Sequence, residues 1–366
     1  MKVGILTFHD ANNYGAVLQA YGLQETIAGF DIDTEIINYV QPYVIDRYKP
    51  VRVDKTNVAA FFKSILSTAL HYKNFTIKRK KFALFRREFL KISDTKYLKS
   101  DSIDGYEVYI AGSDQIWNFK ITNYDEVFFL KFADGKAIKI SYAASIGHNN
   151  LNEKDRMFLR EHIDYFDYIS VREASAVPLL KEMTQKELVN VLDPSLLLPR
   201  NEWNKINSNS FNNKNYIFVY SVSASNKIVE VINKVSKFYD IDIYVLTDKL
   251  RVDVKNHIRC RDIGPVEFID LISNAKLVIT DSFHGTAFSI IFEKNFISVP
   301  NEVGSSRVKD LLKLLNLESR VINDPEEIGY QYIFDINYEL PGKILESERN
   351  KSINFLKNAL YKHKSI

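Results

Sequence analysis

Residues 277–291, LVITDSFHGTAFSII, constrain the fold more than any other stretch of the chain. Leu277, Val278 and Ile279 carry a β-branched strand signal, and Ala287, Phe288, Ile290 and Ile291 belong to a helix with no wet face. A buried strand that turns through a polar corner into an all-apolar helix fits an α/β fold. The corner holds Asp281, Ser282, His284 and Gly285. In such folds the strand-to-helix corner lies at the ligand crevice and offers free backbone N–H groups. A histidine there either caps its own helix or moves protons, and position alone does not decide between the two.

The same alternation recurs along the chain. Val3–Phe8 reads as a strand, 9–14 as a polar loop, Gly15–Ile27 as a helix and Ile32–Tyr39 as a strand, a β-α-β start that implies a parallel sheet. Two amphipathic helices are expected at 57–72 and 76–91, and further strands at Val108–Ala111, Lys139–Ala144, Tyr168–Val171 and Val189–Leu192. The Asn/Ser-rich stretch 199–215 suits a linker. A second set follows, with strands at Tyr216–Val222, Ile243–Leu246 and Phe296–Val299 around the 277–291 segment. The chain's 366 residues suffice for two domains. The expected division is 1–198, 199–340 and a C-terminal helix in 341–366 that packs back on the first half.

Lys plus Arg is 49 and Asp plus Glu is 46, a net charge of +3 that does not argue for nucleic acid. Cys260 is the one cysteine, so an internal disulfide and a cysteine-based metal site are excluded. The N-terminus lacks the apolar core of a signal peptide, and no run of about 18 apolar residues predicts a membrane span. The expected location is the cytoplasm. Residues 78–91 gather Phe82, Phe85, Phe89 and Leu90 on one face among seven basic residues. A solvated helix packing on its own domain is the preferred reading; peripheral contact with the inner membrane is the other.

Polar clusters stand at four expected strand ends: 9–15, 112–118, 141–147 and 280–285. They nominate His9, Asn12, Asn13, Tyr14, Asp114, Gln115 and Trp117 as well as the 281–285 corner. Each has a structural alternative: the asparagines turn the chain, Asp114 caps a helix, Trp117 fills a core. Neither G-x-G-x-x-G nor G-x-x-x-x-G-K-[ST] occurs, which argues against dinucleotide and P-loop sites. The D-x-D pairs Asp31/Asp33 and Asp240/Asp242 precede strands, at the wrong end of a sheet for a metal site. Of seven histidines His284 has the best context and His9 the second best. Asp281 is placed to orient His284 or to cap the helix, and Arg307 to clamp an anion or to face water. Arg172-Glu173 reads as a structural ion pair.

Taken together, GILTFHDANNYGAVLQAYGL (4–23), AGSDQIWN (111–118), SYAASIG (141–147), SVRE (170–173), LDPSLLL (192–198), ITDSFHGTAFSIIF (279–292) and SSRVKDLLKLLNL (305–317) resemble the polysaccharide pyruvyl transferase family, in the family's order. The resemblance implies a GT-B-like α/β fold, two Rossmann-like domains with parallel sheets facing across a cleft. It implies transfer of the enolpyruvyl unit of phosphoenolpyruvate to two hydroxyls of a sugar in a polysaccharide or lipid-linked precursor, giving a pyruvate ketal and phosphate. His284, with Asp281, would be catalytic; Ser282, Gly285, Ser306 and Arg307 would hold the donor. His9, Asn12, Asn13, Tyr14, Asp114, Gln115 and Trp117 would line the acceptor side. Phosphoenolpyruvate is then a co-substrate, with no cofactor and no metal expected. The chain has Ser282 where some branches carry a donor-holding arginine, which leaves phosphate recognition to Arg307, the helix N-terminus and Lys309. The alternatives are a glycosyltransferase with a nucleotide-sugar donor, for which Glu302 is a ribose partner, and a non-catalytic sugar-binding protein.

Overall fold

The computed structural model describes the chain except residues 42, 44–57, 99–102, 134, 149, 213, 248–253, 255, 301–304, 330–331, 333–334 and 362–366, and describes no side chains at 58–71 or 305. Glu302 therefore lies outside the described residues.

Six strands build the first sheet: β1 (Lys2–Leu6), β2 (Asp33–Ile36), β3 (Val108–Gly112), β4 (Ile138–Ala144), β5 (Tyr168–Val171) and β6 (Leu188–Asn190), in the order β2-β1-β3-β4-β5-β6. Five build the second: β7 (Tyr216–Tyr220), β8 (Asp242–Leu246), β9 (His257–Arg259), β10 (Leu277–Thr280) and β11 (Asn295–Ser298), in the order β11-β10-β7-β8-β9. All pairings within both sheets are parallel. Parallel strands need helical crossovers, so every C-terminal strand end in a sheet points the same way and carries its loops to one edge. The register of β4 and β5 shifts between Ser141 and Ala144, a bulge at which the Ala143 carbonyl accepts the Ser113 hydroxyl at 2.7 Å.

The helix Tyr14–Ala28 is buried on almost every face, because it lies between the halves. Tyr14 stacks on Phe268 of the second half (4.7 Å between centroids) and donates its hydroxyl to the Ile263 carbonyl at 2.9 Å. The two halves therefore share one apolar core that runs from Val17 and Leu18 to Phe268 and Phe288.

Two expectations need correction. The expected helices at 57–72 and 76–91 are one helix, Val58–Phe89. Lys73, Asn74 and Phe75 contain no proline or glycine, so nothing between them removes a helical hydrogen bond. In its last turns Phe82 and Phe85 are fully buried, Phe82 against Tyr14 and Phe85 against Tyr21. Of the four apolar residues of that face, Phe82, Phe85 and Leu90 are buried and Phe89 is half-buried. The expected linker 199–215 opens with a short helix, Arg200–Asn204, whose Trp203 is fully buried between Tyr21 and Phe288. A Trp side chain buried on both sides fastens the crossing rather than leaving it loose.

The helix Glu339–Tyr361 returns to the first half. Its Ser352 hydroxyl accepts from the Leu192 amide at 2.9 Å, and its Tyr361 hydroxyl donates to the Phe30 carbonyl at 3.1 Å. No helix among the described residues is long and apolar enough to cross a membrane.

Candidate active site

The corner after β10 is built by short side chains. Thr280 donates its hydroxyl to the Tyr220 carbonyl at 2.7 Å and accepts the Ser282 amide at 3.1 Å. Ser282 is the N-cap of the helix Phe283–Ile291, in extended backbone, and its hydroxyl accepts the Gly285 amide at 3.4 Å. Gly285 packs on Thr280 so closely that a Cβ would lie 2.3 Å from Oγ1. The first turn therefore presses onto the strand and turns His284 toward the other half.

There the imidazole meets two features of the first half. It lies on Gly15, where a Cβ would come within 2.1 Å of Nδ1. Its Nε2 stands 3.7 Å from Asp193 Oδ2. Asp193 ends the segment after β6 and caps the short turn Pro194–Leu196. Its Oδ1 accepts the Ser195 amide and hydroxyl at 2.9 and 2.7 Å, and its Oδ2 accepts Arg172 Nη1 at 2.8 Å and the Ser113 hydroxyl at 3.4 Å. Burial alone would push this carboxyl up, but His284 and Arg172 beside it outweigh burial and hold it well below the usual carboxylate range.

Arg172, just past β5, stacks its guanidinium on Phe283 at 4.7 Å and reaches toward Asp114 at 3.9 Å and Glu173 at 3.6 Å. Glu173 accepts the Ser145 hydroxyl and is buried; burial pushes its carboxyl up, against the pull of Arg172 and Arg307. Arg307 stands in the first turn of the helix Ser305–Leu314, where burial and the neighbouring Arg172 push its guanidinium down to about 10, so it stays cationic at neutral pH. A cavity of about 520 Å³ lies here, lined by Arg172, Asn190, Asp193, Phe283, Arg307 and Lys313 among others. Arg172 Nε and Nη2, Arg307 Nε, Glu173 Oε2 and His284 Nε2 are buried without a hydrogen-bond partner. Natural proteins rarely bury such groups idle; of these, the Arg172 and Arg307 N–H groups belong to residues that line the cavity, and such donors suit an anion.

The other nominated residues are placed as follows. Ser306 is half-buried at the start of the Arg307 helix. Asp281 does not face His284: its carboxylate accepts the Val222 and Ser223 amides at 2.7 and 3.0 Å and the hydroxyls of Ser221 and Ser223, all in the turn after β7. The expected Asp281–His284 pairing is therefore not formed, and Asp193 occupies that position. His9 is buried with Nδ1 3.2 Å from the Thr7 carbonyl and Nε2 3.3 Å from the Asn38 side-chain oxygen, so its ring points into the first half. Trp117 is fully buried and stacked on Phe129, a core position rather than a cleft wall. Asn12 accepts from Arg86 at 3.2 Å, Asn13 caps the helix Tyr14–Ala28, Tyr14 joins the halves, and Gln115 accepts from Asn118 at 2.8 Å. Of this group Asp114 alone is brought up to the Arg172 cluster. Asp33 pairs with Lys91 at 2.6 Å at the start of β2, and among the described residues no group of three His, Cys, Asp or Glu is arranged to hold a metal.

Sequence reasoning passed over Asp193 and read Arg172 and Glu173 as a structural pair. The signal for all three was their position just after the adjacent strands β5 and β6, at the same sheet edge as Asp114.

The polysaccharide pyruvyl transferase family model matches residues 13–302. No curated protein gives a significant match. The fold resembles UDP-GlcNAc 2-epimerase from Neisseria meningitidis bound to UDP-GlcNAc, at TM-score 0.51 and 12% identity, over 99% of this chain and 100% of that one. It also resembles UDP-N-acetylglucosamine 2-epimerase from Rickettsia bellii, at TM-score 0.52 and 11% identity, over 100% of this chain and 99% of that one. At such identities the likeness is one of fold, and the fold is GT-B-like: two Rossmann-like halves, each on a parallel sheet. Since the match spans most of the chain and takes in Asp114, Arg172, Asp193 and His284, the chain belongs to the polysaccharide pyruvyl transferase family.

Proposed function

We propose that the chain transfers the enolpyruvyl unit of phosphoenolpyruvate onto two hydroxyls of a sugar in a polysaccharide or its lipid-linked precursor, forming a cyclic pyruvate ketal and releasing phosphate. The observation that carries this reading is one interdomain cavity lined by two guanidiniums with idle N–H groups, Arg172 and Arg307, and by Asp193, whose carboxylate stands 3.7 Å from His284 Nε2. The donor holds a carboxylate and a phosphate on a three-carbon frame. Two planar cations with idle N–H groups match that pair of anions, and the N-terminus of the helix Phe283–Ile291 adds amide dipoles. Ser282 supplies no cation itself; Arg172 supplies one from the opposite half.

The chemistry asks for protons to be moved. A proton goes to the methylene carbon of the donor while the first hydroxyl adds to the central carbon. Phosphate then departs and the second hydroxyl closes the ketal ring. Of the two hydroxyl protons, one ends on the new methyl group and the other leaves with phosphate. His284 gives the proton to carbon as an imidazolium and takes the hydroxyl proton as a neutral ring. Phosphoenolpyruvate is a co-substrate in this proposal, and no metal or further cofactor takes part. The acceptor lies on the first half, along the 9–15 loop and Asp114. The proposed setting is the cytoplasm, in the making of an exopolysaccharide of the cell envelope.

Phosphate release from phosphoenolpyruvate with a pooled set of saccharide acceptors tests the reading. Release is expected only when donor and acceptor are both present, and Arg307→Ala should raise the donor KM by about 10- to 100-fold, the loss of one charge-assisted contact. No release with any acceptor, together with tight binding of a UDP-sugar, would overturn it in favour of a nucleotide-sugar donor.

A further inference from the structure

We infer that Asp193 is a positioning residue that fixes the tautomer of His284, keeping a proton on Nε2 and leaving Nδ1 as the nitrogen that exchanges protons with substrate. The inference rests on the proposed function and deepens it by assigning the working atom.

The carboxylate is unable to turn away. Oδ1 is held by the Ser195 amide and hydroxyl, and Oδ2 by Arg172 and the Ser113 hydroxyl. These donors come from the crossing segment, from the end of β5 and from the end of β3, so three parts of the first half aim one carboxylate at a histidine of the second. His284 Nε2 is buried and 3.7 Å from Oδ2, with no other partner. A bare Nε2 lone pair would face a buried negative charge; an Nε2–H faces it favourably. Contacts of this length before substrate binds are usual in sites that tighten on binding.

The opposite edge of the ring fits the second part. Nδ1 lies on Gly15, where any Cβ would stand 2.1 Å away. Gly15 follows the 9–13 loop and opens the helix Tyr14–Ala28 on the proposed acceptor side. The missing side chain at Gly15 leaves room for this edge of the ring, and an Nε2–H tautomer makes Nδ1 its basic nitrogen. The other charged groups near the pair are Arg172 and, around it, Asp114, Glu173 and Arg307. None offers His284 an alternative acceptor, and Asp281 is turned to the Ser221–Ser223 turn.

Nitrogen NMR of the full chain, labelled at histidine, reads the tautomer directly, with His284→Gln identifying the signal by difference. The neutral His284 ring is expected to carry its proton on Nε2, and Asp193→Asn to raise the Nδ1–H population while lowering kcat by about 100-fold or more. A wild-type ring protonated on Nδ1 would overturn the inference, as would an Asp193→Asn spectrum with unchanged tautomers. If that variant does not fold, the wild-type spectrum still decides. The spectrum is independent of the donor's identity. Absent phosphate release with the expected tautomer would therefore sink the reaction and spare the positioning role.

Discussion

His9 and His284 follow strands of the same kind, β1 and β10, at the same end of their sheets, and both are buried. Their chemistry is opposite. His9 lies between the Thr7 carbonyl and the Asn38 side chain, two groups of its own half, so its ring has nothing left to do. His284 has no hydrogen-bond partner at Nε2 and faces a carboxylate contributed by the other half. A strand end delivers a histidine to the crevice side of a sheet; what the opposing half puts in front of it decides whether it is a brick or a tool. The largest expected effect separates the two. His284→Gln should lower kcat by about 10³-fold with folding unchanged, the scale of a lost general acid–base. His9→Gln should keep activity within a few-fold and lose about 1 kcal/mol of stability, the scale of a buried hydrogen bond. Paired kinetics and denaturant melts check this, and similar kcat losses in both variants would erase the distinction.

Two aspartates repeat the lesson on a smaller scale. Asp281 is the near neighbour of His284 in sequence, yet it ties the turn after β7 through two amides and two hydroxyls. Asp193 is distant in sequence and faces the ring. Asp281→Ala should cost about 0.5–1.5 kcal/mol of stability, because the donors at Val222 and Ser223 are exposed and turn to water, and change kcat by only a few-fold. A large kcat loss with an unaltered denaturation midpoint would return Asp281 to the catalytic group.

How far the sequence reveals this arrangement depends on the range of the interaction. The parallel sheets were legible because β-branched runs such as Leu277–Ile279 alternate with helices over short distances. The corner at 280–285 was legible for the same reason. Helix continuity through 73–75 was not, since apolar and polar residues keep no single face along Val58–Phe89. Trp203 looked like part of a polar linker because its cover, Tyr21 and Phe288, lies far away in the chain. Asp193 goes unremarked and Arg172 reads only as the partner of its neighbour Glu173 for the same reason: the carboxylate that Arg172 holds lies 21 residues away and is recognised only once the chain is folded.

The smallest effect concerns pH, and it turns on the idle histidine. Burial lowers the His9 pKa, and its contacts with Thr7 and Asn38 oppose that only in part. In the unfolded chain the ring titrates near the ordinary value of about 6.5. Between the folded and unfolded values the unfolded state binds more protons, so stability rises with pH through that window. The contribution is present above about pH 6.5 and is lost as pH falls toward the folded value. Asp193 is held far below this range and stays ionised, and Glu173, pushed up by burial, is common to both proteins compared and cancels. The stability difference between wild type and His9→Gln, from urea unfolding at pH 8 and pH 5, should therefore shrink on acidification. Parallel curves would mean that the folded protein accepts a charged His9, and that this ring is less enclosed than its contacts indicate.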